Sequence, residues 1–198
     1  MKALHRPEFW GWSEFNPERN LDFHSVLWIR PEGNCAFDPL PMSEHDLNHL
    51  KSLGTLRHIL ISNSDHLRFA IELAEQTGAT LWGPASEPNL LPRQMNLSDG
   101  QEPVPGLRVY QLEGSKTPGE LAFLIDGHTL ITGDLIRSHQ AGKLCLLPEA
   151  KLKDKQQAQA SVRRFLDCSD LETVLTGDGW PIFGAGRQAI QALVAGFT

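Results

Sequence analysis

The sequence predicts an α/β fold, two sheets flanked by helices, on three observations. Short apolar runs of strand length alternate with segments whose apolar residues recur at helical spacing. One stretch reads strand, loop, helix, strand, which demands a crossover and favours parallel strands with helices on their faces. A strong hairpin signal, Asp126-Gly127, joins two further strand-like runs in the second half.

Taken in order, the first twenty residues carry Phe9, Trp10, Trp12 and Phe15 among prolines and charges without a clear period, and read as an irregular segment packed on the domain. Residues 23–29 and 35–37 suit strands, with turn chemistry in Pro31-Glu32-Gly33-Asn34. Ser43 with Asp46 three residues later resembles a capping box before Leu47 and Leu50, and Gly54 stops that helix. Residues 57–61 form a buried strand and 62–65 a tight loop. Leu67, Ala70, Ile71 and Ala74 then mark a helix ending at Gly78, and residues 80–82 the next strand. Residues 83–106 read as loops and short strands. Residues 107–112, 121–125 and 129–132 are strand-like, and a later polar stretch leads into a helix through Val162, Phe165 and Leu166. Residues 173–175 make a last strand and 188–195 a last helix.

A length of 198 residues fits one domain, residues 1–198. Eighteen Lys and Arg against 24 Asp and Glu leave a net charge of −6 and no basic stripe, which sets nucleic acid aside. No apolar run approaches the roughly 18 residues that cross a bilayer, and the opening residues are unlike a secretory signal, so a cytoplasmic protein without a membrane partner is expected. Cys35, Cys145 and Cys168 are too few and too scattered for a disulfide framework or a zinc knuckle; Cys35 reads as a core thiol.

Three apolar runs end alike. Ile59-Leu60-Ile61 precedes Ser62-Asn63-Ser64-Asp65-His66, Leu130-Ile131 precedes Thr132-Gly133-Asp134, and Val174-Leu175 precedes Thr176-Gly177-Asp178-Gly179. Ligands of open α/β sheets sit beyond the carboxyl ends of strands, so Asp65, Asp134 and Asp178 converge if their strands are neighbours. One such Asp alone is an ordinary cap or loop residue; three together require compensation by a proton, a basic side chain or a metal ion. Of the eight histidines only His66 stands beside such an Asp, and oxygen ligands with one imidazole suit Mn, Fe(II), Zn or Mg. Ser62 and Ser64 read as loop hydrogen-bonding groups, residues 184–186 as a turn, and Trp180-Pro181 as a wall of the cleft.

This order of motifs resembles the metallo-β-lactamase superfamily over nearly the whole chain. That family has a Thr-His-x-His-x-Asp-His loop after a strand, a Gly-His-Thr-Pro-Gly turn, a Gly-Asp after a strand and a final His. Here Asp65-His66 keeps the end of the first motif without its earlier histidines, Lys116 stands in Gly114-Ser115-Lys116-Thr117-Pro118-Gly119, Gly133-Asp134 is retained, and Asp178 replaces the last His. The resemblance implies a four-layer αββα sandwich and a degenerate site. The first metal position is lost, and Asp65, His66, Asp134 and Asp178 surround the surviving one. It implies one divalent ion, zinc, manganese or iron, or none, with Lys116 and Asp65 as candidate catalytic residues and the Lys116 ammonium supplying charge in place of the lost ion.

Two function classes follow. The first is a metal-dependent hydrolase of a small-molecule ester, thioester, lactone or phosphodiester, working through a metal-bound water. The second is a non-catalytic member of the fold in which Lys116 and the aspartates form an ion-pair cluster and the cleft binds a small molecule or protein partner.

Overall fold

A computed structural model describes residues 1–197; Thr198, the last residue of the expected domain, lies outside the described residues. A seven-stranded sheet runs in chain order through β1 (Lys2–Ala3), β2 (Phe9–Asn16), β3 (Leu21–Trp28), β4 (Asn34–Phe37), β5 (Leu56–Leu60), β6 (Thr80–Pro84) and β7 (Met95–Leu97). Pairing is antiparallel up to β4 and parallel from β4 to β7. The second sheet contains β8 (Leu107–Gln111), β9 (Leu121–Ile125) and β10 (Thr129–Thr132). A separate ribbon, β11 (Ile136–Gln140) with β12 (Lys143–Leu146), follows it. The last strand, β13 (Thr173–Thr176), joins β10 in parallel and gives the sheet order β13-β10-β9-β8.

Helices α1 (Glu44–Ser52) and α2 (Ala70–Thr77) pack on the outer face of the first sheet, α3 (Lys155–Arg163) and α4 (Gly186–Ala195) on that of the second. The expected cap of α1 forms, Ser43 Oγ accepting from the Asp46 N–H at 3.1 Å, and Gly78 ends α2 in the left-handed conformation. Successive residues of one strand serve different layers, because side chains alternate across a sheet. Ile131, Leu175 and Phe123 fill the space between the sheets; Leu130, Val174 and Leu124 face α3 and α4. Sheets covered on both faces explain why these strands read as continuous apolar runs. The result is helix, sheet, sheet, helix, the expected αββα sandwich. Cys35 lies in its core, where burial pushes the thiol up to about 12.

Two expectations need correction. The first twenty residues are not irregular: β2 pairs along its whole length with β3. Phe9 faces the inter-sheet layer while Trp10 and Trp12 face the helices. The period-two signal was hidden because Gly11 and Ser13 occupy the inward positions. The ribbon β11–β12 was unanticipated, its strand character masked by Arg137-Ser138-His139-Gln140. Among the described residues no helix is long and apolar enough to cross a membrane.

Candidate functional site

Parallel pairing of β10 with β13 places Thr132 beside Thr176, so the two Thr-Gly-Asp sequences leave the sheet side by side. Both glycines are required by close approach. A Cβ on Gly133 would stand 2.5 Å from Ser62 Oγ and 2.7 Å from Glu120 Oε1; one on Gly177 would stand 2.8 Å from His66 Cε1. Asp134 and Asp178 are thereby pressed against the loop after β5, and both are buried.

That loop turns through a short 3₁₀ segment, Ser64–His66, capped by Asn63, whose side chain accepts from the Asp65 N–H at 2.9 Å. His66 is held from behind by Asp38, which follows β4. Its Nδ1 lies 2.8 Å from Asp38 Oδ2 and 3.0 Å from Ser62 Oγ. Asp38 also accepts from the Ser62 N–H and Oγ, both at 2.7 Å. With Nδ1 so engaged, Nε2 faces forward, 3.5 Å from Asp134 Oδ2. One ligand atom each from His66, Asp134 and Asp178 lie within 4.8 Å of one another.

Three cationic side chains enter the same space. Lys116 Nζ lies 2.5 Å from Asp65 Oδ2 and 3.0 Å from Asp134 Oδ2. Arg137 Nη2 contacts Asp178 Oδ2 and lies 4.0 Å from Asp134 Oδ1. Arg68 Nη1 donates to the carbonyls of His24 and Asp38, while its Nη2 lies 3.4 Å from His66 Nε2 and 4.0 Å from Asp178 Oδ1. Burial works to raise the Asp134 carboxyl, and the neighbouring His66, Lys116 and Arg137 side chains outweigh it and hold it below the usual range. Burial likewise works against the Lys116 ammonium, and Asp65 and Asp134 outweigh it and raise its pKa. Asp38, Asp65, Asp134 and Asp178 against Lys116, Arg68 and Arg137 leave four negative and three positive side chains.

The fit to a metal ion follows from the donors. Asp134 Oδ2 and both Asp178 carboxylate oxygens are buried, and what faces them is His66 Nε2 and the cationic nitrogens of Lys116, Arg137 and Arg68. A histidine fixed by a carboxylate at its far nitrogen is the usual support of a metal-binding imidazole. Two carboxylates and one imidazole fit one divalent ion of the Mn, Fe(II), Zn or Mg class.

Of the four expected ligands, the structure brings His66, Asp134 and Asp178 together. Asp65 stands apart from that triad, half-exposed and paired with Lys116. Trp180 and Pro181 line a neighbouring crevice and not this cleft, a correction: the chain turns between Asp178 and Trp180 at Gly179, which is left-handed and bridged to Ser138. The cleft measures about 410 Å³, with Arg19, Phe23 and Leu40 completing its walls. Asp38, Arg68, Glu120 and Arg137 were not anticipated. Asp38 carried a usable signal, since it follows a short apolar strand as the other aspartates do. The other three carried none.

Glu120 ties the loops together. Its Oε1 accepts from the N–H groups of Asp134 at 2.7 Å and Leu135 at 3.0 Å, and its Oε2 from Asn63 Nδ2 at 3.1 Å and Ser115 Oγ at 3.2 Å. Burial, and then the neighbouring Asp134 charge, pushes its carboxyl from 4.5 up to about 8. Between those values the folded chain keeps a proton that the unfolded chain has lost, so this group makes stability fall as pH rises through that window. Glu120→Gln cannot ionise. Denaturation midpoints measured at about pH 5 and about pH 8 should therefore shift in the variant's favour as pH rises, and parallel behaviour of the two proteins would refute the assignment.

A family model described as metallo-beta-lactamase superfamily matches residues 1–197. No curated protein matches the sequence. Among solved structures, a metallo-beta-lactamase from Pontibacter korlensis superposes with a TM-score of 0.76 at 14% identity, covering 98% of both chains. The DIM-1 metallo-beta-lactamase gives 0.75 at 14% identity, covering 98% of this chain and 95% of its own. ETHE1 from Myxococcus xanthus gives 0.72 at 19% identity, covering 94% of this chain and 85% of its own.

Proposed function

The chain belongs to the metallo-beta-lactamase superfamily, and from that premise we propose that its cleft is a hydrolase site for a small ester, thioester, lactone or phosphodiester, built around one divalent ion. The observation that carries this reading is the convergence of ligand atoms from His66, Asp134 and Asp178 in one buried cluster, with the imidazole aimed into it by Asp38. An ion held there supplies Lewis acidity and lowers the pKa of bound water. The chain's own groups do the rest. Asp38 keeps His66 Nε2 pointed into the cleft. Asp65 holds Lys116 at its mouth, where the ammonium offers fixed positive charge to an oxyanion of the substrate. Arg137 and Arg68 hold Asp178.

A panel of chromogenic esters, thioesters, lactones and phosphodiesters, assayed with added zinc or manganese and again after chelation, tests the reading. Chelator-sensitive turnover of one class supports it, and no turnover with any ion contradicts it. His139, on the exposed end of β11, serves as control: His139→Ala should leave ion binding unchanged.

A second reading rests on a different observation. Lys116 already lies 3.0 Å from Asp134 and Arg137 contacts Asp178, so cationic side chains compensate the carboxylates directly. On that reading the cluster is structural and the cleft binds a small molecule or partner without turning it over. Buried charges left unpaired would be strongly unfavourable, and this network supplies counter-charges without an ion.

A further inference from the structure

The far end of β2 and the start of β3 overhang the segment after the edge strand β13, which they meet through the Phe23–Asp178 bridge and the bond from the His24 N–H to the Gly177 carbonyl. In that overhang Ser13 of β2 faces His24 of β3, and across the gap stand Leu175, Thr176 and residues 181–183, whose Ile182 pairs with Val174. The short side chain of Ser13, inward on β2, leaves the inter-sheet layer unfilled there. The space left is a crevice with an inner part of about 450 Å³ and an outer part of about 920 Å³, which meet at Lys2, Ser13, His24, Pro181 and Phe183.

This crevice is separate from the carboxylate cleft. Phe23 lines the cleft and His24 the crevice, and the backbone bridge between Phe23 and Asp178 stands between them; Arg19, at the hairpin tip, borders both. Leu4, Val26 and Leu175 bound the inner part together with the polar residues His24, Ser25 and Asp46. At the mouth Phe15, Trp180 and Phe183 are three of the four large apolar side chains exposed among the described residues. Lys2 and Arg19 also stand there, and neither lies within 4.0 Å of a carboxylate among the described residues, whereas the inner acid Asp46 is paired with the terminal ammonium. Asp22 is the one acidic residue of the outer part, so the mouth carries an excess of positive charge in a chain whose net charge is −6.

An apolar interior of a few hundred cubic ångström with few polar groups is what a small-molecule site requires, and its rim selects the charge of the ligand. We propose that the crevice is a second ligand site, taking a single-chain amphipathic carboxylate whose apolar chain enters between the sheets and whose head group meets Lys2 and Arg19. Burial of the chain supplies the affinity, since each methylene removed from water contributes in proportion to its area. The two cations fix which end stays at the mouth.

Dodecanoate, titrated calorimetrically below its micellar concentration, tests the site. One molecule should bind per chain, butanoate should not bind measurably, and dodecyltrimethylammonium should bind at least tenfold more weakly. Lys2→Glu and Arg19→Glu should each weaken dodecanoate about tenfold, and Ser13→Trp, which fills the junction of the two parts, should abolish binding. No saturable binding of dodecanoate, equal binding of the cationic amphiphile, or binding that survives Ser13→Trp would each overturn the proposal. Should Ser13→Trp fail to fold, Lys2→Glu decides, because Lys2 is exposed and its loss of affinity is read against unchanged thermal unfolding.

Discussion

Asp178→Asn should lower thermal stability by about 3 kcal/mol, a fall in Tm of roughly 10 °C for a chain of this size. Asp178 and the Arg137 guanidinium that contacts it are both buried. Replacing the carboxylate leaves a buried cation whose remaining carboxylate partner is Asp134, at 4.0 Å. Breaking such a pair costs far more than the pair contributes over an apolar replacement, because the orphaned charge cannot return to water. The same variant removes one of the three candidate ion ligands, so a stabilising effect of added zinc or manganese on the native chain should disappear in it. Scanning calorimetry with and without the ion checks both halves. An unchanged Tm would mean that Asp178 is solvated and not part of the cluster.

Lys116→Met should tighten divalent-ion binding by about tenfold or more. The ammonium lies 3.0 Å from Asp134 Oδ2 and repels a doubly charged ion a few ångström away, a repulsion that solvent at its partly exposed end screens to roughly the 1.4 kcal/mol of a tenfold change. Removing it changes the balance of the seven ionised side chains from one excess negative charge to two, which one divalent ion cancels. Without added ion the variant should be less stable than the native chain, since the pair with Asp134 is lost; with ion the deficit should close. If Lys116 merely decorated the surface, affinity and stability would both stay where they are. Calorimetric titration of manganese into the two proteins distinguishes these outcomes.

The fold was legible where local pattern and tertiary role agree. Ile59-Leu60-Ile61, Leu130-Ile131 and Val174-Leu175 are strands covered on both faces, so burial wrote itself into the sequence as uninterrupted apolar runs. The parallel register of β10 and β13 turned the repeated Thr-Gly-Asp into adjacent carboxylates, which is why Asp134 and Asp178 could be found by reading strand ends. β2 was not legible, because its inward positions are Gly11 and Ser13 and its aromatics serve the helix layer. β11 was hidden by Arg137, a buried strand residue whose presence only the carboxylates it meets explain. Arg68 and Glu120 belong to the same class: a buried charge is interpretable only once its partners from distant segments are known. Asp65 illustrates the converse. Its motif pointed to a ligand, and its side chain instead holds Lys116.

The central claim is that His66, Asp134 and Asp178 together hold one divalent ion while Lys116 occupies the place of another. Counting ions by calorimetry in the chelator-stripped native chain and in Asp134→Asn tests it directly. One zinc or manganese per native chain, with affinity reduced on the order of 100-fold in Asp134→Asn, is the expected result. Two ions per chain, none, or one whose affinity ignores the Asp134 substitution would contradict it.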